Sequence, residues 1–406
     1  MKPMSIEFVL NHGRFALISA IGVCLSVAHL TPALAQSSIT LFGVADEGLT
    51  FSTNAGGKRQ YALTSGNEGQ SRWGLKGTED LGGGLSALFT LEGGFNGSNG
   101  TMTQGGTLLG RQAFVGLSSN DLGTLTLGRQ YPITYDYVGI FTAGGVWALT
   151  GAGYGAHPAD LDDMDGSERI NNAVKYRSPS FEGFSFAAMY SFGGVAGHIS
   201  RNAYYSAAAS YANGPIALGA AYAMAKNPNF SVFGSNASAS TTAANMSGPV
   251  ISGLAGAGSL EIAGVGGSYQ IGRATLAAAY THSSFNSLGA TAVTGVNSAA
   301  LGRAAVFNIA EISVRYMVTP ALMLCAAYEY TAAGGLAGRD GARYNQVDLG
   351  ADYFASKRTD VYAMAVFQTA SGYDSTGKKA VASLAYAIPS TSNRQLVAVV
   401  GVRHRF

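Results

Sequence analysis

Charge, cysteine and long apolar runs are all scarce in this chain, and each scarcity removes a class of protein. Only 12% of the 406 residues are Asp, Glu, Lys or Arg, about half of the roughly 25% usual in soluble domains. An ordinary solvated surface is therefore excluded. Mean hydropathy is nevertheless only +0.16, and beyond Gln36 no stretch of 18 apolar residues occurs, which excludes a bundle of membrane helices. The cysteines are Cys24 and Cys325 alone, too few for a disulfide framework. No Gly-x-Ser-x-Gly, His-Glu-x-x-His or Cys-x-x-Cys occurs, so no catalytic, cofactor or metal site is expected from motif. Ser167, His157 and nearby aspartates share one segment, the one combination that keeps a hydrolase open as a rival reading. Setting aside Lys2, Arg14 and Glu7 from 25 basic and 23 acidic residues leaves 23 against 22, so nothing points to nucleic acid.

The amino terminus reads as a leader. Lys2 and Arg14 form a positive region, Phe15 to Val27 an apolar run of about 13 residues, and Ala33-Leu34-Ala35 a small-x-small cleavage site. The run is too short to span a bilayer, which takes roughly 20 residues. The expected organisation is a cleaved signal peptide over 1–35 and a single domain over 36–406.

What the chain does have is alternation. Val347, Leu349, Ala351 and Tyr353 hold one parity, while Gln346, Asp348, Gly350 and Asp352 hold the other. A helix would scatter those carboxylates; a strand puts them all on one side. Phe184 to Phe192, Glu311 to Tyr316 and Leu396 to Phe406 repeat the pattern. Cys325 takes the polar parity, opposite Leu324 and Ala326, and reads as a small bystander. The glycine cluster Gly264-Val265-Gly266-Gly267 sits inside an alternating segment with no helix after it, so it lacks the geometry that cradles phosphate.

Gly, Pro and Asn then punctuate the chain. Short turns are expected at Asp80–Gly84, Ser119–Leu122, Pro179–Gly183, Asn213-Gly214-Pro215, Gly272, Thr319-Pro320 and Ser356–Arg358. Longer connections fall near 52–70, 96–110, 131–168, 194–202, 227–258, 285–305, 333–342 and 371–393. Seven turns and eight loops join sixteen strands. The predicted fold is all-β: a 16-stranded antiparallel transmembrane barrel with short periplasmic turns and long external loops, wide enough for an aqueous interior. Phe42, Trp73, Tyr190, Tyr211, Tyr222, Tyr316, Tyr328, Tyr353 and Phe406 are candidates for interfacial aromatic girdles.

Several segments resemble the Gram-negative general porins, most closely the trimeric porins of beta-proteobacteria. They are Ser38-Ile39-Thr40-Leu41-Phe42-Gly43-Val44, Ser71 to Leu85, Leu127-Gly128-Arg129-Gln130, Arg169 to Tyr176, Tyr211 to Pro215 and Gly401 to Phe406. The resemblance implies an outer-membrane general diffusion channel for ions and small hydrophilic solutes. It also implies a homotrimer surrounded by membrane lipid and lipopolysaccharide, delivered to the barrel-assembly machinery through Phe406. The third external loop, Tyr131 to Glu168, would fold inward and narrow the pore. A substrate-specific channel for a sugar or organic acid, or a surface adhesin, are the rival readings.

Strand parity turns Arg72 and Lys76 inward, opposite Trp73 and Leu75, and likewise Arg169 and Lys175, opposite Val174 and Tyr176. Glu92 faces inward opposite Leu91. Arg111 has no clear parity, and its placement rests on the resemblance. The expected constriction has Arg72, Arg111, Arg169 and Lys76 on its basic side. Its acidic side comprises Glu92, Asp160, Asp162, Asp163, Asp165 and Glu168, and the balance predicts a weak preference for anions. Asp162 and Asp163 lack the spacing of a dedicated Ca²⁺ site.

Overall fold

The computed structural model describes residues 38–406; the leader and its cleavage point lie outside the described residues. The strands are β1 (Ser38–Ala55), β2 (Lys58–Ser65), β3 (Arg72–Gly82), β4 (Leu85–Gly94), β5 (Gln112–Ser119), β6 (Gly123–Gln130), β7 (Ile170–Arg177), β8 (Phe184–Ser191), β9 (Tyr204–Asn213), β10 (Ile216–Lys226), β11 (Ala257–Ile271), β12 (Ala274–Leu288), β13 (Ala304–Thr319), β14 (Leu322–Ala333), β15 (Arg343–Phe354), β16 (Thr359–Ser371) and β17 (Arg394–Arg405). These 17 segments make a closed sheet of sixteen staves, because β2 and β3 share one position. Ser38–Val44 of β1 pairs with β3, and Glu47–Ala55 pairs with β2. The other edge of β1 pairs with β17 from Val44↔Arg405 to Ser52↔Val397, which closes the ring.

All seven tight turns fall at their expected positions, six of them at Gly, Pro or Asn and the seventh at Ser356–Arg358, where Ser356 Oγ accepts from Arg358 N and Thr359 N. The 52–70 stretch does not form the long loop expected of it. β1 runs on to Ala55 and reverses through Gly56 (φ +62°) and Gly57 (φ +94°) into β2. Two consecutive left-handed residues make the twist-matched turn of a two-residue hairpin.

Outside, the barrel is a band of bare apolar side chains such as Trp73, Leu125, Phe186, Leu276, Ile312, Leu349 and Val400. Such a surface suits lipid and not water. Tyr222, Tyr316, Tyr328 and Tyr353 join it, whereas Phe42 turns inward and lies 5.6 Å beneath the Lys76 ammonium.

Inside, sequence parity misses one feature. The lumen is not wet throughout: its β9–β16 wall carries a hydrophobic core built with the loops. Loop 3 (131–169) folds into the barrel, led by α1 (Ile133–Tyr137) and followed by α2 (Ala143–Val146). Its Ile133, Val138, Leu161 and Met164 join Leu260, Ile262, Phe285, Phe307 and Ile309 of the wall in one buried cluster. Each such side chain contributes about 1.5–3 kcal/mol on burial, so no single truncation should free the loop. Trp147 packs beside Cys325 and Ala327.

Small residues make the room. A Cβ at Gly219 would lie 2.0 Å from the Tyr137 carbonyl oxygen, and one at Gly266 would lie 2.8 Å from the Phe141 ring. The alanine- and glycine-rich run of β9–β11 is thus the bed on which loop 3 lies. Loop 8 (372–393) also enters the mouth, and its Leu384 packs with Leu149 of loop 3 and Val366, Val397 and Val399 of the wall.

Gly219→Ala should therefore crowd the Tyr137 carbonyl and lower stability by about 1–3 kcal/mol, the usual cost of overpacking. The midpoint of urea unfolding, followed by tryptophan fluorescence, checks this; an unchanged midpoint would mean that the loop is not seated on β10.

Candidate functional site

Loop 3 covers the β9–β15 side of the lumen and leaves a cavity of about 1030 Å³ against the remaining wall. Arg72, Lys76, Arg111, Arg129, Arg169, Arg403 and Arg405 line it, against Glu68, Glu92, Asp165 and Glu168. The seven cations outnumber the four carboxylates.

Three of the predicted arginines converge. Arg72 and Arg111 both reach Glu92 Oε1, at 3.3 and 2.6 Å, and Gln112 donates to Glu92 Oε2 at 2.8 Å. Glu92 therefore stands among the arginines on the β3–β5 wall and not across the channel from them. Arg111 and Arg169 both donate to the hydroxyl of Tyr131, the latter at 2.8 Å. The Arg169 guanidinium lies 4.1 Å from the Tyr131 ring centroid, a cation–π contact. Tyr131 in turn stacks on Tyr135 at 4.9 Å.

Arg169 reaches the lumen, but not by the alternation that predicted it. Asn172 has φ +51°, and the β6–β7 register shifts between Gly128 and Gln130. Parity is lost across that bulge, and the end of loop 3 aims the side chain, held by the carbonyls of Gly166 and Ser167 at 2.5 and 2.6 Å.

The acidic set divides. Asp165 and Glu168 reach the cavity; Asp160, Asp162 and Asp163 do not. Asp160 accepts from Asp165 N, Ser167 N and Ser167 Oγ, and Asp163 accepts from Glu168 N at 3.0 Å. Both carboxylates cap turns within the loop, satisfying backbone donors that would otherwise be buried without partners. Asp162 Oδ2 bonds His157 Nδ1 at 2.7 Å and accepts from Thr281 at 2.5 Å, and His157 Nε2 meets Glu311 of β13 at 3.2 Å. His157 is thus the rivet between loop and wall. With both ring nitrogens engaged it is unavailable as a base for Ser167, whose hydroxyl serves Asp160, so the hydrolase constellation does not assemble.

Sequence reasoning passed over Arg129, Tyr131, Arg403 and Arg405. Arg403 and Arg405 carried a usable signal, since both alternate with Val400 and Val402. Arg403 is spent on Asp360, at 3.0 Å, and on Glu68 and Asp352; Arg405 meets Asp360 at 2.7 Å. Arg129 bonds Asn171 Oδ1 at 2.6 Å and Ser235 O of the fifth external loop at 2.7 Å. Among the described residues no carboxylate lies within 4.0 Å of the Arg129 or Arg169 guanidinium.

A family model described as Gram-negative porin matches residues 23–373. The chain belongs to that family. Outer membrane porin protein 32 of Delftia acidovorans is 30% identical over 393 residues, covering 92% of this chain and 95% of that one. An outer membrane porin of Bordetella pertussis is 40% identical over 177 residues, so that match spans 39% of this chain and 44% of that protein. The fold is similar to an anion-selective porin from Comamonas acidovorans (TM-score 0.65, 24% identity, 91% of this chain and 100% of that one). It is also similar to the trimer form of OmpT of Vibrio cholerae (TM-score 0.60, 19% identity, 91% and 99%). This porin is a β-barrel of the Gram-negative outer membrane and forms a general diffusion channel through its lumen.

Burial opposes a charge on His157, but Asp162 and Glu329 hold its pKa well above the usual value. The protonated ring therefore stabilises the loop fully below about pH 6.5, and that contribution is lost as pH rises through the elevated folded value. His157→Ala leaves buried carboxylates unpaired and should cost on the order of 3 kcal/mol. The difference in unfolding midpoint should persist at neutral pH and shrink only in alkali; disappearance by pH 7 would contradict a raised value.

Proposed function

We propose that Arg72, Arg111, Arg169 and Lys76 form the basic side of the constriction, that Asp165 and Glu168 supply its acidic counterpart, and that the channel weakly prefers anions. The carrying observation is the excess of cations around the cavity, three of which, Lys76, Arg129 and Arg169, have no ion-pair partner among the described residues. A low-dielectric wall focuses their field on a passing ion. The structure described as that of an anion-selective porin from Comamonas acidovorans agrees with this reading. Passage is passive in this reading, with no catalytic step.

Self-association is supported by strand length. β5, β6, β7 and β8 have 8 residues each, whereas β11 to β13 have 15 or 16. At ~3.3 Å per residue and a tilt near 40°, eight residues rise about 20 Å, short of the ~25 Å apolar band. That side of the barrel is better covered by protein than by lipid, and a homotrimer, as in the trimer form of OmpT, supplies it. Lipopolysaccharide around the long-stranded side and delivery to the assembly machinery through Phe406 complete the set of proposed partners.

Planar-bilayer recording across a KCl gradient tests the constriction. Wild type should open in ohmic steps grouped in threes, with a reversal potential on the anion side. Arg72→Ala/Arg169→Ala should move that potential toward zero, by on the order of 10 mV; an unmoved potential would sink the assignment.

The pH dependence has a definite sign. Burial in the loop, reinforced by Asp160, pushes Glu168 up to about 7 despite Arg169 and Arg129. Glu168 is mostly neutral at pH 6 and charged at pH 8.5, so anion preference should fall as pH rises between them. Glu168→Gln should weaken that pH dependence, and an unchanged dependence would point to another group, Asp165 being the second raised carboxyl at the cavity.

A further inference from the structure

Loop 8 enters the barrel mouth on two hooks. Ser383 N donates to Gln368 Oε1 at 2.7 Å and Leu384 N donates to Gln395 Oε1 at 3.2 Å. Both glutamines point inward from β16 and β17 and are buried. Leu384 then closes into the core beside Leu149. Two residues later Tyr386 takes φ +58°, a left-handed backbone that is strained for a non-glycine residue. That reversal turns its ring out of the core and into the channel cavity, where it stands 57% exposed with Glu168 and Arg169.

The ring is held from two further directions. Its flank rests on Gly153, where a Cβ would lie 2.5 Å from Tyr386 Cδ2. Its hydroxyl donates to Ser167 Oγ at 2.5 Å, and Ser167 donates to Asp160 Oδ2 at 2.5 Å. Asp160 is the carboxylate that organises the 160–167 turn, so the relay ties the eighth loop to the frame of the third. A strained backbone, a glycine cradle and a hydrogen-bonded relay are separate features that converge on one aromatic ring in the solute path.

We propose that Tyr386 sets the size limit of the channel: its ring narrows the path beside Glu168 and Arg169, and its hydroxyl braces loop 3. An uncharged phenol acts on the size of what passes and not on its sign. The inference rests on the lumen being the solute path, and its readout is separate from that of the arginines, which acts through reversal potential.

Full-length protein in planar bilayers and in liposomes swelling in a monosaccharide or a disaccharide provides the test. Y386A should raise unit conductance on the order of 1.5-fold, and raise the disaccharide rate more than the monosaccharide rate. Y386W can grow only toward the lumen, because Gly153 backs the other side, and should lower both. Y386F keeps the ring but cuts the relay, and should lower the midpoint of urea unfolding while leaving the sugar ratio unchanged. Wild-type conductance and sugar ratio in both Y386A and Y386W would overturn the size limit, and a wild-type unfolding midpoint in Y386F would overturn the brace. A shifted reversal potential at unchanged conductance would also overturn it, because the effect would then be one of charge.

Discussion

A peptide group facing hydrocarbon has no water to bond, so each must find its partner in a neighbouring strand. The β1–β17 pairing, from Val44↔Arg405 to Ser52↔Val397, meets that demand by joining the two ends of the sheet. Closure then fixes the rest. With a side-chain period of two and an outer face committed to lipid, polar and charged side chains within the apolar band are confined to the inward positions, and outward ones such as Glu261, His282 and Asn308 sit toward the loop ends of their strands. Sixteen staves enclose more space than side chains can fill. Whatever narrows the lumen must therefore come from the connections, and here the third, fifth and eighth loops all contribute.

The inner wall divides according to what it meets. Where β9 to β15 face loop 3 many residues are small or apolar, as at Gly219, Gly266, Ala223 and Ile262, and the few buried carboxyls among them, Glu311, Glu329 and Asp348, lie on β13 to β15. His157 is the cation that lets Asp162 and Glu311 sit in that interface, because buried carboxylates without a partner would each cost several kcal/mol. Opposite, β3 to β7 and β17 carry the arginines, and the space between them and the loop stays open. Packing on one side thus creates the electrostatic character of the other: the channel runs where the loop does not.

Much of this was legible in the sequence, for reasons that also mark its limits. Six of the seven tight turns announced themselves through Gly, Pro and Asn and the seventh through Ser356, residues whose backbone preferences are local. Arg72, Lys76 and Glu92 sit on regular strands, where parity alone gives direction. Arg169 does not, since the bulge at Asn172 intervenes, and Arg111 lies just before β5. The Gly56-Gly57 hairpin was in view but sat within a polar stretch that read as loop. Asp160, Asp162 and Asp163 could not be oriented at all, because irregular backbone has no period and their partners, Ser167 N, His157 and Glu168 N, are set by the tertiary fold. The dry interior escaped for another reason: alanine and glycine carry almost no hydrophobic signal, so a bed of small residues looks the same as an empty wall.

Charge shows most plainly why function here needs the structure. Across the whole sequence basic residues exceed acidic ones by only 2, which says little about ion preference. What a permeating ion meets is the remainder after internal pairing. Arg403 and Arg405 are largely cancelled by Asp360, Asp352 and Glu68, and Arg72 and Arg111 share the single charge of Glu92. Lys76, Arg129 and Arg169 have no ion pair among the described residues, and the cavity acids left to them are Glu168, a carboxyl pushed up to about 7, and Asp165, which burial and Asp160 push well above the usual carboxylate range. Near neutrality those acids offset the arginines only in part. In the proposed constriction, selectivity is a residual left by larger cancelling charges, so a proton gained or lost on Glu168 changes that residual directly.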